Sequence, residues 1–197
     1  MQKFLTLFFL LILIGCSKSE FDIEERNEDI NSVIKIIIET ESINVLKNNS
    51  ENNKIAQFLK KVKVVLPNPD KNIISPPNRD GRELDDVYNS KSERVFSKND
   101  SLYLLSQNIN PDSLEISDKL KEKYNYAQLS KILMDRHDGN YYQYYEFEIP
   151  MFSKDNKTAY IELNYHSKGY FGKRIAYVLK NENGNWKVVD RRLTWIN

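Results

Sequence analysis

Lys157-Thr158-Ala159-Tyr160-Ile161-Glu162-Leu163-Asn164-Tyr165-His166-Ser167 alternates apolar and polar side chains with a period of two. That period is the mark of a strand with two unlike faces. Lys173–Asn181 repeats it, with Ile175, Tyr177 and Leu179 set against Arg174, Ala176, Val178 and Lys180. Tyr141–Phe152 and Asn185–Ile196 complete a run of four predicted antiparallel strands. Lys154-Asp155-Asn156, the Lys168–Gly172 segment and Glu182-Asn183-Gly184 supply turn chemistry between them. One face of such a meander is apolar and needs a cover.

Upstream, Ile30, Val33, Ile34, Ile37 and Ile38 recur at helical spacing, which predicts a helix over about 24–39 to supply that cover. The expected fold class is therefore α+β: an N-terminal helix packed on a curved antiparallel sheet formed mainly by the C-terminal four-strand meander. Residues 28–197 are expected to form a single domain. Between the two ends the pattern is weaker. It predicts a helical turn at 53–60, a strand at 62–66, a strand at Leu102–Leu105, and a short helix from an N-cap at Ser117 through Lys123. Leu129–Met134 is apolar but of undetermined type. Pro67, Pro69, Pro76 and Pro77, among Asn, Asp and Ser, predict an irregular segment at about 67–98.

The first residues are of another kind. Lys3 precedes an apolar run, Phe4–Ile14, interrupted only by Thr6. As a helix it would be about 16 Å long, roughly half a bilayer's hydrocarbon thickness, so it reads as a signal peptide over residues 1–15. Leu13-Ile14-Gly15-Cys16 resembles the lipobox of bacterial lipoproteins, matching it position by position. The resemblance implies diacylglycerol thioether attachment to Cys16, cleavage before it, and acylation of the new amine with fatty chains such as palmitate. A thiolate is the nucleophile such attachment needs at neutral pH, and several acyl chains hold a protein where one would not. Residues 16–27 then form a lipidated tether. Ser17 stands where enteric lipoproteins retained at the inner membrane carry aspartate, which points to the outer membrane, periplasmic or surface-facing.

Cys16 is also the single cysteine, so the body has no internal disulfide and depends on its core. Of 29 basic residues Lys3 leaves with the signal, and 28 then face 28 acidic ones. A neutral body gives no support for nucleic-acid binding, so the expected partners are the membrane, through the anchor, and an envelope protein or glycan.

Two resemblances bear on the body. A helix followed by a curved sheet ending in Gly184-Asn185-Trp186-Lys187-Val188-Val189 is similar to the cone-shaped folds related to nuclear transport factor two, over about the C-terminal third. The same stretch through Leu193-Thr194-Trp195-Ile196 resembles uncharacterised envelope lipoproteins of the Bacteroidetes. Neither implies site residues, and cone folds host both enzymes and binding modules.

Candidate chemistry is sparse. His137, in Asp135-Arg136-His137-Asp138-Gly139, and His166 have acidic neighbours that suit a metal site or a base with its orienting group, yet neither has a ligand spacing. Surface histidines are the simpler account, and no metal or cofactor is expected. Glu146 and Glu148 share a strand face about 7 Å apart, near the separation used by inverting glycosidases. Glu162, Arg174, Lys180, Lys187 and Arg191 on neighbouring strands make a solvated, ion-paired face the stronger expectation. Tyrosines crowd Tyr141–Tyr145, and exposed aromatics stack on sugars or anchor partners. Tyr170 and Phe171, in the glycine-flanked turn, are the expected binding surface, with the mouth of a cone as the rival location. Asp100-Ser101-Leu102 and Asp112-Ser113-Leu114 resemble the O-glycosylation acceptor of Bacteroidetes envelope proteins. The function expected is that of a lipid-anchored envelope protein with a non-catalytic binding or interaction module. A hydrolase using the glutamate face or the histidines, and an inhibitor or immunity-type protein, are the alternatives.

Overall fold

The computed structural model describes residue 23 and residues 25–67, 81–90, 93–169 and 171–197. Helix α1 (Asn27–Thr40) follows the predicted stripe: Ile30, Val33, Ile34, Ile37 and Ile38 are its buried residues. Glu28 and Asp29 lie in its first turn, where the helix dipole favours negative charge. Asp29 also accepts hydrogen bonds from Trp186 Nε1 (3.0 Å) and Asn156 Nδ2 (2.6 Å), which pins the start of the helix to two hairpins of the sheet.

Thirteen strands and five α-helices are described. The short ones are β1 (Lys54–Ala56), β2 (Phe58–Lys60), β3 (Lys63–Val65), β4 (Gly81–Glu83), β5 (Asn89–Ser90), β6 (Glu93–Arg94), β7 (Ser113–Glu115) and β8 (Tyr126–Ala127). Helices α2 (Leu84–Tyr88), α3 (Asp100–Ser106), α4 (Asp118–Lys123) and α5 (Leu129–His137) are interleaved with them. The meander then runs through β9 (Tyr144–Phe147), β10 (Met151–Phe152), β11 (Thr158–His166), β12 (Gly172–Glu182) and β13 (Asn185–Ile196).

The main sheet has the order β13-β12-β11-β9-β1-β8, with β10 also on β11. Its C-terminal part is antiparallel as expected, while β1 runs parallel to both β8 and β9, so the sheet is mixed. Asn183 and Gly184 hold positive φ (54° and 85°) in the two-residue loop between β12 and β13, the left-handed geometry that Asn-Gly favours. Register irregularities between Arg174 and Ile175 and between Val178 and Leu179 bend this pair.

Both faces of the sheet are covered. Helix α1 packs over Ile161, Leu163, Ile175, Tyr177, Leu179 and Trp186. On the reverse face Val62, Val64, Leu84, Val87, Tyr88, Phe96 and Leu104 close over Met151, Tyr160, Ala176 and Val178.

Several local expectations fail, each for a physical reason. The helical turn expected at 53–60 is instead β1 and β2, because Ile55, Ala56 and Leu59 are buried within the sheet layers. The strand expected at Leu102–Leu105 is helix α3, with Leu104 buried and Leu102 exposed. A four-residue apolar run fits either period. Residues 81–90, expected to be irregular, carry β4 and α2, whose Leu84, Val87 and Tyr88 are buried; residues 68–80 lie outside the described part. The Ser117 cap is found, its hydroxyl accepting from Leu120 N, and Leu129–Met134 lies in α5.

Candidate functional site

Alternation along β11 places Tyr160, Glu162, Asn164 and His166 on the face turned away from α1. Register sets Asn164 opposite Glu146 on one side and Arg174 on the other, and His166 opposite Tyr144. The three glutamates considered from sequence therefore do gather on one face. That face is ion-paired but not solvated, contrary to expectation: Glu146 is 6% exposed, Glu148 7% and Glu162 0%.

Each carboxylate has a different solution to its burial. Glu162 receives both arms of the Arg82 fork, Nε and one terminal nitrogen each at 2.6 Å, together with the Tyr160 hydroxyl. Arg174 Nε stands 3.6 Å away. Bidentate, charge-assisted pairing of this kind offsets desolvation where a monodentate contact would not. Burial disfavours charge on Arg82, but the hydrogen bonds and charge of Glu162 outweigh it and raise the guanidinium above its ordinary value. Glu146 meets Lys60 Nζ at 2.7 Å and His166 Nε2 at 2.9 Å. Burial pushes its carboxyl up, yet these two partners together hold it below the usual carboxylate range. The imidazole of His166 is fixed by stacking on Tyr144, 4.1 Å between centroids. Glu148 accepts only a 3.3 Å bond from Asn164 Nδ2 in this cluster. Burial first, then repulsion from Glu162, push its carboxyl up to about 7.

A protonatable Glu148 near an ionised Glu146 is a pairing that acid–base chemistry uses. Here the ionised members are already neutralised by cations. Neither of the two clefts with a defined lining includes any of the three glutamates. The histidines are not brought together as a pair. His166 serves Glu146, whereas His137 ends α5 with a side chain 91% exposed, 3.5 Å from Asp138. Among the described residues no group of three or more His, Cys, Asp or Glu is placed to hold a metal ion.

The larger cleft, of about 530 Å³, lies beside the glycine-flanked turn. Leu133, Arg136 and His137 of α5, Tyr141 of the next loop, and Lys168 and Gly169 of the turn line it. Arg136 builds this wall: its terminal nitrogens donate to the carbonyls of Ser167 (2.8 Å) and Gly169 (2.6 Å), and its guanidinium lies over the Tyr144 ring. The turn is closed by Ser167 N donating to Phe171 O. Gly172 lets the Trp195 ring approach closely, since a Cβ there would stand 3.2 Å from that ring. Phe171 is exposed and packs edge-on to Tyr165, 6.2 Å between centroids. Tyr170 lies outside the described residues, as do Cys16 and the signal segment.

The smaller cleft, about 350 Å³, is lined by Asp100, Asp155, Lys157 and Lys180 among others. Asp100 and Lys180 are engaged internally. Asp100 accepts from Ser97 N and Lys154 N, and Lys180 donates to Val95 O and Thr158 Oγ1. Of the tyrosine cluster, Tyr142, Tyr144 and Tyr145 are buried and Tyr141 alone is exposed, at 59%. Ser101 is half-buried, its hydroxyl donating to Lys98 O, whereas Ser113 is exposed at the start of β7.

Sequence reasoning missed Arg82, the principal partner of Glu162, because it follows a proline-rich stretch with no periodicity. It also missed Arg136, which in the sequence stands only as a neighbour of His137. No protein-family model matches the chain, and no curated protein or solved structure shows significant similarity to it.

Proposed function

We propose that the chain is a lipid-anchored envelope protein, held at the outer membrane through Cys16, whose folded body is a non-catalytic binding module. One contrast carries the reading. The carboxyl groups best suited to chemistry are buried, with Glu162 and Glu146 held by cations, whereas an exposed tyrosine and cationic side chains collect around the cleft beside Lys168 and Gly169. Concave sites with a few convergent polar groups are where small ligands bind. No helix among the described residues is long and apolar enough to cross a membrane, and the anchor supplies membrane attachment in this reading without one.

The hydrolase alternative draws on Glu148 alone, the carboxyl that retains a proton near neutrality. It requires a path from solvent to a residue that is 7% exposed. Expressing the wild type and Cys16→Ser in a bacterial host and separating membranes from soluble fractions tests the anchor. The wild type is expected in the membrane fraction at the mass of a cleaved, acylated chain, and the variant unacylated and released from it. Identical fractionation of the two would sink the proposal.

A further inference from the structure

We propose that the cleft between α5 and Lys168-Gly169 is a binding site for an acidic sugar, a uronic-acid residue of a glycan, with its carboxylate on Lys168 and Arg136 and its ring face on Tyr141. This rests on the binding-module reading and names its ligand. The polar wall offers donors: the Arg136 guanidinium, the Lys168 ammonium and the His137 imidazole. The carboxylate that sets a uronic acid apart from a neutral sugar accepts hydrogen bonds only, and these donors match it.

The charge balance agrees. Arg136 is positioned by backbone carbonyls, not by a carboxylate, so its charge is uncompensated by the contacts that hold it. Five N–H groups on a guanidinium leave capacity beyond the three bonds to Tyr142, Ser167 and Gly169. Lys168 is exposed and makes no ion pair among the described residues. Asp138 stands 3.5 Å from His137 of the wall, and Arg136 and Lys168 bring two positive charges to the lining. Tyr141 adds an exposed ring of the kind whose face packs on sugar C–H groups. A concave site of this size suits a compact residue better than a flat bilayer surface.

The test uses the full chain in non-ionic detergent, titrated by calorimetry with three probes. These are a trigalacturonate, its uncharged galactose counterpart, and detergent micelles doped with phosphatidylglycerol. Expected are saturable binding of the trigalacturonate, at least tenfold weaker binding of the neutral trisaccharide, and at least tenfold loss of trigalacturonate affinity in Lys168→Glu and in Tyr141→Ala. Both side chains are exposed, so circular dichroism should show unchanged folds. Equal affinity for the neutral sugar would overturn the acidic specificity while leaving a binding module in place. Binding only to the anionic lipid, or no binding of either sugar, would overturn the sugar site. Release of new reducing ends from trigalacturonate would overturn the non-catalytic reading itself.

Discussion

The two faces of the main sheet, built from alternate residues of the same strands, are buried by different means. Beneath α1 the face is apolar throughout, and Ile34, Ile37, Ile161 and Tyr177 are fully enclosed. On the reverse face, apolar packing around Met151, Tyr160, Ala176 and Val178 gives way to Glu162, Asn164, Arg174, Glu146 and Glu148. The first face buries no carboxylate among the described residues. The second is closed only if each carboxylate finds a cation, a donor or a proton, since a buried charge without one is costly. Burial alone therefore does not distinguish a structural face from a functional one; the pairing inside it does.

Removing one partner should separate the faces most sharply. Arg82→Ala leaves the fully buried Glu162 without its bidentate fork, and a loss of roughly 3–5 kcal/mol is expected by urea unfolding. A loss below about 1 kcal/mol is what an exposed pair would give, and it would break the comparison. On the other face, Ile34→Ala deletes an enclosed side chain under α1, with an expected cost of roughly 3 kcal/mol from lost burial and the cavity left behind. Its cost should not change between pH 5 and 8, because no titrating group is removed.

How much of this was legible in the sequence follows from the range of each signal. The stripe of α1, the Asn183-Gly184 hairpin and the Ser117 cap depend on near neighbours in the chain, and each is found where the spacing put it. Helix α3 and strands β1 and β2 are too short to show a period, and tertiary packing chose their form. The charged face misled for a related reason: Glu and Arg at alternate strand positions normally signal solvent. The apolar cover on this side comes from Val62, Val64, Leu84, Val87, Tyr88, Phe96 and Leu104, which are scattered along short elements with no sustained period. Tyr160, Ala176 and Val178, apolar on the nominally polar side, were the available sign. At the cleft, the glycine-flanked turn was readable, but the opposite wall is not, because Arg136 reaches Ser167 and Gly169 across 31 and 33 residues of sequence.

Glu148 offers the finest distinction between the faces. Its folded-state carboxyl is raised to about 7 against an ordinary 4.5, so between those values the native state holds a proton that the unfolded chain has lost. Stability should therefore fall as pH rises from about 4.5 to 7 and level off above. Glu148→Gln should remove that slope, gaining on the order of 3 kcal/mol at pH 8 and almost nothing at pH 4. The most direct measurement is the titration of the Glu148 carboxyl carbon by NMR in the folded protein. A midpoint near 7 is predicted for a sealed, charge-crowded interior; a midpoint near 4.5 would mean that water reaches this face, and would contradict its closure.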